Sequence, residues 1–342
     1  MTIAQRNFFR LLRAGAYGNQ EQIEPMSAWK WRQTLKWAQK LGLSPLLYDG
    51  VKTCEGQFFM RLTDDVWQQL QEDTQQAEQS YHQTASEVAE LLTLLGERQL
   101  RPILLEPWTS GSLYSEPRHH RLGIVNIFFP FATQGNKADE WAKENGTNVD
   151  TSRKNMLRYQ WKSLRVEHRH RMLVLNNKLN NHTLQGIIEQ ERLEGGTTHV
   201  IVAGQRIETI APTLDMLITL LGIVKATLRD GIQLWQVADL GQQLRQQGDR
   251  VDFVKLQGWI ERLHFTRMAQ LVGNMLTGLL GFSVDEVPFM QPSSSDGDID
   301  NIVESLFTDS ARRPAKYLRY CPGESISSVV ASITHSLGNI EE

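Results

Sequence analysis

Two short apolar runs, Ile103 to Leu105 and Ile124 to Phe129, constrain the fold of this chain more than any other feature. Both are too short for buried helices and rich in β-branched or aromatic residues, so each reads as a strand. Between them lie Pro107, Ser110 and Gly111, a helical turn expected through Tyr114, and a basic loop, Arg118 to Arg121. The order is strand, loop with helical turn, strand. In a strand, residues two apart share a face, so Ile124 and Asn126 point the same way.

On either side the pattern is helical. Phe8 to Ala14, Trp29 to Leu41 and a glutamine-rich stretch from about Asp64 to Gln99 show helical spacing, and residues 1–100 read as a helical N-terminal unit. Trp29, Trp31 and Trp37 are expected to pack in the core, and the glutamines to form a solvated face. After the second strand, Lys137 to Asn145 reads as a helix closed by Gly146. Alternating segments follow at Met156 to Gln160, Ser163 to His168 and Met172 to Leu175, then a hairpin, THVIVAGQRIETI, turning at Ala203 to Gln205. The chain is helical again through residues 212–290, and a Ser- and Asp-rich break opens the last section, 291–342. There, IDNIVESLF has helical spacing, with Asp298 or Asp300 at its cap or first turn, and Tyr317 to Leu337 contains a short amphipathic helix. The expected fold class is α+β: a mixed sheet in residues 101–211 flanked by N- and C-terminal helical units.

Composition narrows function little. With 342 residues, a formal charge of −3 and 40% hydrophobic residues, the chain is of the ordinary globular kind and its charge selects no partner. The N-terminal MTIAQRNFFRLLRAG is an amphipathic helix without the continuous apolar core of a signal peptide. The longest apolar stretch, Met216 to Val224, falls short of the roughly 18 residues of a membrane span, so a cytoplasmic protein without membrane contact is expected. Cys54 and Cys321 are far apart, lack ligand spacing and read as small core residues.

Chemistry-bearing residues gather in two stretches. LRVEHRHRML places Glu167 among Arg165, Arg169 and Arg171, and leaves open whether it is a metal-site carboxylate or a solvent-facing residue of an edge strand. His168 and His170 share a strand face and are candidate metal ligands with His119 or His120, although exposed histidines at this spacing are common. Arg118, His119, His120, Arg121, Arg165, His168, Arg169, His170 and Arg171 would form a basic, anion-binding cleft if the strands bring them together, and two separate solvated surfaces otherwise. Nucleic acid is not an expected partner, since no continuous basic stripe or interleaved aromatics occur. Asp239 reads as a helix-buried carboxylate holding the domain together.

The chain resembles the uncharacterised nucleotidyltransferase family of the polymerase-beta-like superfamily, across about Ala28 to Phe307. In that family a strand ending in Lys-Gly leads through a helix with a Tyr to Arg-x-x-Gly-Asp-Ile-Asp-Leu. Tyr114 matches, Glu106-Pro107 stands for Lys-Gly, and Gly123-Ile124-Val125-Asn126-Ile127 stands for Gly-Asp-Ile-Asp-Leu. Trp37, Ala38, Gly42, Leu43, Tyr48, Asp49 and Gly50 match a Trp-x-x-Ala…Gly-Leu…Tyr-Asp-Gly stretch, and Pro212, Lys225, Gly231, Ile232, Leu234, Gln236 and Asp239 match the C-terminal half. Ala226 and Trp235 replace a His and an Arg. Val166-Glu167 is similar to a Val-Glu-x-His strand that completes the metal site. The family's paired carboxylates hold Mg²⁺ against a triphosphate, and here the pair has become Ile124 and Asn126. The resemblance therefore implies a nucleotidyltransferase frame with a degenerate site, a pseudoenzyme. Glu167 and Asn126 are its residual site residues, and Ser110, Gly111, Arg121 and Arg169 would contact a nucleotide. No cofactor is expected, and the ligand would be a nucleotide, another anion or a protein partner. The alternative is an active enzyme using Mg²⁺ to transfer a nucleoside monophosphate to an acceptor. The literal Gly297-Asp298-Ile299-Asp300 is a helix start, not the motif.

Overall fold

A computed structural model describes residues 1–290, 297–308, 317 and 319–321. Four helices come first: α1 (Ile3–Tyr17), α2 (Ala28–Leu41), α3 (Ser44–Thr53) and α4 (Asp64–Glu97). Thr2 caps α1 reciprocally with Gln5, satisfying amides that the first turn would leave open. The sheet region then runs β1 (Ile103–Leu104), α5 (Trp108–Gly111), β2 (Val125–Phe128), α6 (Ala132–Asn145), β3 (Thr147–Asp150), β4 (Met156–Trp161), β5 (Leu164–Arg169), α7 (Lys178–Leu193), β6 (Thr197–Val202) and β7 (Gln205–Ile210). Helices α8 (Pro212–Asp230), α9 (Leu234–Gln247), α10 (Phe253–Arg262), α11 (Thr266–Leu280) and α12 (Gly297–Phe307) complete the described chain.

The seven strands form one mixed sheet in the order β3-β4-β5-β2-β1-β7-β6. The two apolar runs are neighbours, β1 antiparallel to β2, and β5 lies parallel to β2 on its other side. Strand alternation sends the residues of β1, β2 and β7 to two different cores, while β4, β5 and β6 feed one. Val125, Ile127, Phe129, Leu157, Tyr159 and Val166 face α4 and α6, whereas Ile103, Leu105, Phe128 and Ile210 face the larger core built by α1–α3 and α7–α12. Residues of the first three helices and of the C-terminal helices thus share that core, with Phe307 of α12 meeting Phe8 and Trp37 at ring centroid distances of 5.2 and 4.3 Å.

Local expectations meet the structure with three differences. The β6–β7 hairpin turns at Ala203 and Gly204, both at positive φ (48° and 77°) as a two-residue hairpin loop of this hand requires. Helix α6 begins five residues before the expected Lys137, because Thr133, Gln134 and Gly135 can be helical although none signals it. Trp31 and Trp37 pack as expected, but Trp29 is largely exposed at the first turn of α2. Met172 to Leu175 forms no strand; its side chains enter the larger core from a loop. Asp300 is exposed in the first turn of α12, and the helix expected within Tyr317 to Leu337 falls almost wholly outside the described residues.

Candidate functional site

Asn126 and Glu167 are register partners on the parallel pair β2–β5, so their side chains leave the sheet on the same face. A cationic side chain joins them. Arg169, two residues beyond Glu167 and so on the same face, donates from Nε to Asn126 Oδ1 at 3.0 Å and from Nη2 to Glu167 Oε2 at 2.7 Å. Arg158 of β4, the antiparallel partner of Glu167, donates to the other carboxylate oxygen, Oε1, at 2.5 Å. Both oxygens of Glu167 are therefore occupied by guanidinium groups. Asn126 spends its amide on the carbonyl of Glu106 at 2.5 Å.

This network is buried at its centre and open at its rim. Glu167 is 1% exposed, in a strand with neighbours on both sides, so neither a solvent-facing nor an edge position describes it. The Arg169 side chain keeps 22% of its exposure and Arg158 33%. Burial pushes the Arg169 guanidinium below its usual pKa while Glu167 pulls it back up. Arg165, on the same face, is exposed and has no ion pair among the described residues.

The other residues expected to contact a nucleotide lie past the end of β1. Ser110 is fully buried and its hydroxyl donates to Glu106. Gly111 is pressed against His120, where an added Cβ would come to 2.9 Å of the ring nitrogen. Arg121 is exposed and lies over the Trp235 ring at 5.4 Å. Gly111 and Arg121 line one cleft with Tyr81, Trp108 and His120, while Ser110 points away into the protein.

The nine basic residues do not converge into one cleft. Because β5 alternates, Arg165 and Arg169 face one way and His168 the other, toward α6, where Asp139 accepts from His168 at 3.2 Å and from His170 at 2.7 Å. His119 lies between Asp49 and Glu78, Arg118 pairs with Glu116 and Glu78, and His120 pairs with Asp239. Carboxylates distant in sequence have claimed most of these bases, which no local pattern could reveal. No group of three or more His, Cys, Asp or Glu suited to a metal occurs among the described residues, so the histidine metal site is not formed.

His168 is completely buried, with Asp139 at Nδ1 and the Tyr159 hydroxyl at 2.8 Å from Nε2. That pairing suits a neutral ring that donates from Nδ1 and accepts from Tyr159. Burial holds its pKa below the ordinary 6.5 despite Asp139. The unfolded chain then binds this proton first, so the contribution is complete above about pH 6.5 and is lost as pH falls. His168→Gln should flatten the acid side of the stability profile, as measured by melting temperature at stepped pH; an unchanged slope would contradict it.

Residues 27–281 match the model of the family described as uncharacterised nucleotidyltransferase. The chain belongs to that family. Among solved structures it is similar to an antigenic nucleotidyltransferase-like protein from Paracoccidioides brasiliensis, at 11% identity and a TM-score of 0.33 over 60% of this chain and 91% of that one. No curated protein matches. No described helix is long and apolar enough to cross a membrane.

Proposed function

We propose that this family member is a catalytically impaired nucleotidyltransferase-fold protein that binds a phosphate-bearing ligand at the rim of the Asn126–Glu167 site. The observation that carries the reading is the Arg169 guanidinium, which bridges the two residues between which a metal would be held. The donor set fits Mg²⁺ poorly. Glu167 has both oxygens in ion pairs, the Asn126 oxygen is taken by Arg169, and Ile124 cannot ligate. A divalent cation entering here would have to displace a guanidinium from a buried carboxylate. A phosphate meets the reverse situation, because Arg158 offers partly exposed and Arg165 exposed donors beside it.

Calorimetric titration with ATP, GTP, CTP, UTP and pyrophosphate, with and without Mg²⁺, tests this directly. The expected result is binding that does not require Mg²⁺, weakens with salt and falls about tenfold in Arg165→Ala, the size of one lost charge-assisted contact. Robust Mg²⁺-dependent incorporation of labelled nucleotide into an acceptor, abolished by Glu167→Gln, would overturn it and establish the active-enzyme alternative.

A further inference from the structure

The least explained polar cluster lies beneath the candidate site, where the end of β1 meets α8 and α9. Glu106, Asp215, Thr219, Ser110 and Gln243 meet there, and Asp215, Thr219, Ser110 and Gln243 are all buried. The Gln243 amide nitrogen is within 2.9 Å of Glu106 Oε1, 3.1 Å of Asp215 Oδ2, 2.9 Å of Thr219 Oγ1 and 3.5 Å of Ser110 Oγ. An amide has two protons for these four oxygens. The Asp215 Oδ1 and Gln243 Oε1 atoms are buried and have no hydrogen-bond partner among the described residues.

We propose that Asp215 stays protonated beside the Glu106 carboxyl and that the two act with Gln243 as a clasp holding α8 and α9 to the sheet, which loosens when the Asp215 proton is lost. Both carboxyls contact one amide nitrogen, so they are no farther apart than those two contacts allow. Two like charges that close, with Asp215 buried, strongly disfavour each other unless a cation lies beside them.

The neighbouring charges do not supply one. From α9, Asp239 adds a third carboxylate, and it accepts from Tyr114 at 2.8 Å and pairs with His120 at 3.0 Å. His120 is thus committed, and its pKa is raised: burial lowers it, but Asp239 and Glu106 outweigh that. Tyr17 from α1 lies by Asp239, and Arg121, beside His120, is exposed. Burial first, and then the Glu106 charge, holds Asp215 well above the usual carboxylate range; Glu106 is raised by burial and by Asp239, against the pull of Ser110, Thr109 and His120. A carboxyl with a raised folded pKa contributes most below its ordinary value near 4, and the contribution is lost as pH rises through the folded value.

The clasp also fixes the loop whose Glu106 carbonyl accepts from Asn126. Asp215 and Thr219 lie one turn apart in the mostly apolar first half of α8.

Melting temperature is to be measured from pH 5 to 10 for the wild type, Asp215→Asn and Glu106→Gln, together with carboxyl-carbon NMR of the wild type. Asp215→Asn, neutral at every pH, should show a flatter alkaline side and melt higher than wild type at the alkaline end of the range. In the wild type, at least one buried carboxyl should titrate far above the ordinary range. Parallel melting profiles would overturn the proposal. So would NMR in which every carboxyl carbon titrates near the ordinary value, and that result stands even if neither variant folds.

Discussion

Gly50→Ala is expected to destabilise the protein by roughly 3 kcal/mol or more, at or beyond the usual cost of overpacking, because the added methyl would meet backbone. Helices α1 and α3 cross at Gly15 and Gly50. A Cβ on Gly50 would come to 1.9 Å of the Leu11 carbonyl oxygen, and one on Gly15 to 1.8 Å of the Leu46 carbonyl oxygen. Neither oxygen belongs to a flexible side chain, so relief requires the helices to separate. Around the crossing, Phe8, Leu11, Leu12, Leu46 and Leu47 are all buried, and separation would loosen their packing together. Denaturant midpoints provide the measurement. Because both substitutions force the same separation, Gly15→Ala/Gly50→Ala should cost less than the two single losses combined. Gly222→Ala, in α8 where a Cβ meets nothing within 4 Å, is the control and should be neutral or slightly stabilising. A Gly50→Ala loss as small as the control's would mean that the helices part easily.

Gly50 also shows what was legible in the sequence. Its match to the family's Tyr-Asp-Gly stretch marked the position, but the reason, a backbone contact with α1, lies between segments far apart in the chain. The strand pair β1–β2 was legible because apolar content, length and flanking turns agree. The pairing of Asn126 with Glu167 also followed from the family frame, since parallel β2 and β5 put matching positions on one face. Arg169 was named as a nucleotide contact, and nothing local told that its guanidinium would bridge Glu167 and, on the neighbouring strand, Asn126. Glu106 was read only as a substitution for Lys-Gly. Its buried partners, Asp215 and Gln243, sit in helices whose apolar pattern hides them, and the sequence reading picked out neither. Charge in the basic loop was visible, but the acids that balance it come from α3, α4 and α9.

Glu167→Ala is expected to cost about 3–5 kcal/mol, the range for removing one partner of a buried ion pair. The carboxylate is nearly inaccessible and holds two guanidinium groups, Arg158 at Oε1 and Arg169 at Oε2. Its loss leaves Arg169 with Asn126 and the Met172 carbonyl at 3.1 Å, two neutral acceptors for a cation that is already largely desolvated. Arg158 is more exposed and can turn to solvent, so Arg158→Ala should cost much less. The double variant Glu167→Leu/Arg169→Leu removes both charges and returns apolar volume, so it should recover most of the loss. Chemical denaturation of the four proteins measures this directly. If Glu167→Ala is no less stable than Arg158→Ala, Arg169 is not held by this carboxylate and the cation position is free for another occupant. A large loss that the double variant repairs would mean that Glu167 is committed to an internal cation. That commitment is the electrostatic reason to expect poor Mg²⁺ affinity in the intact protein.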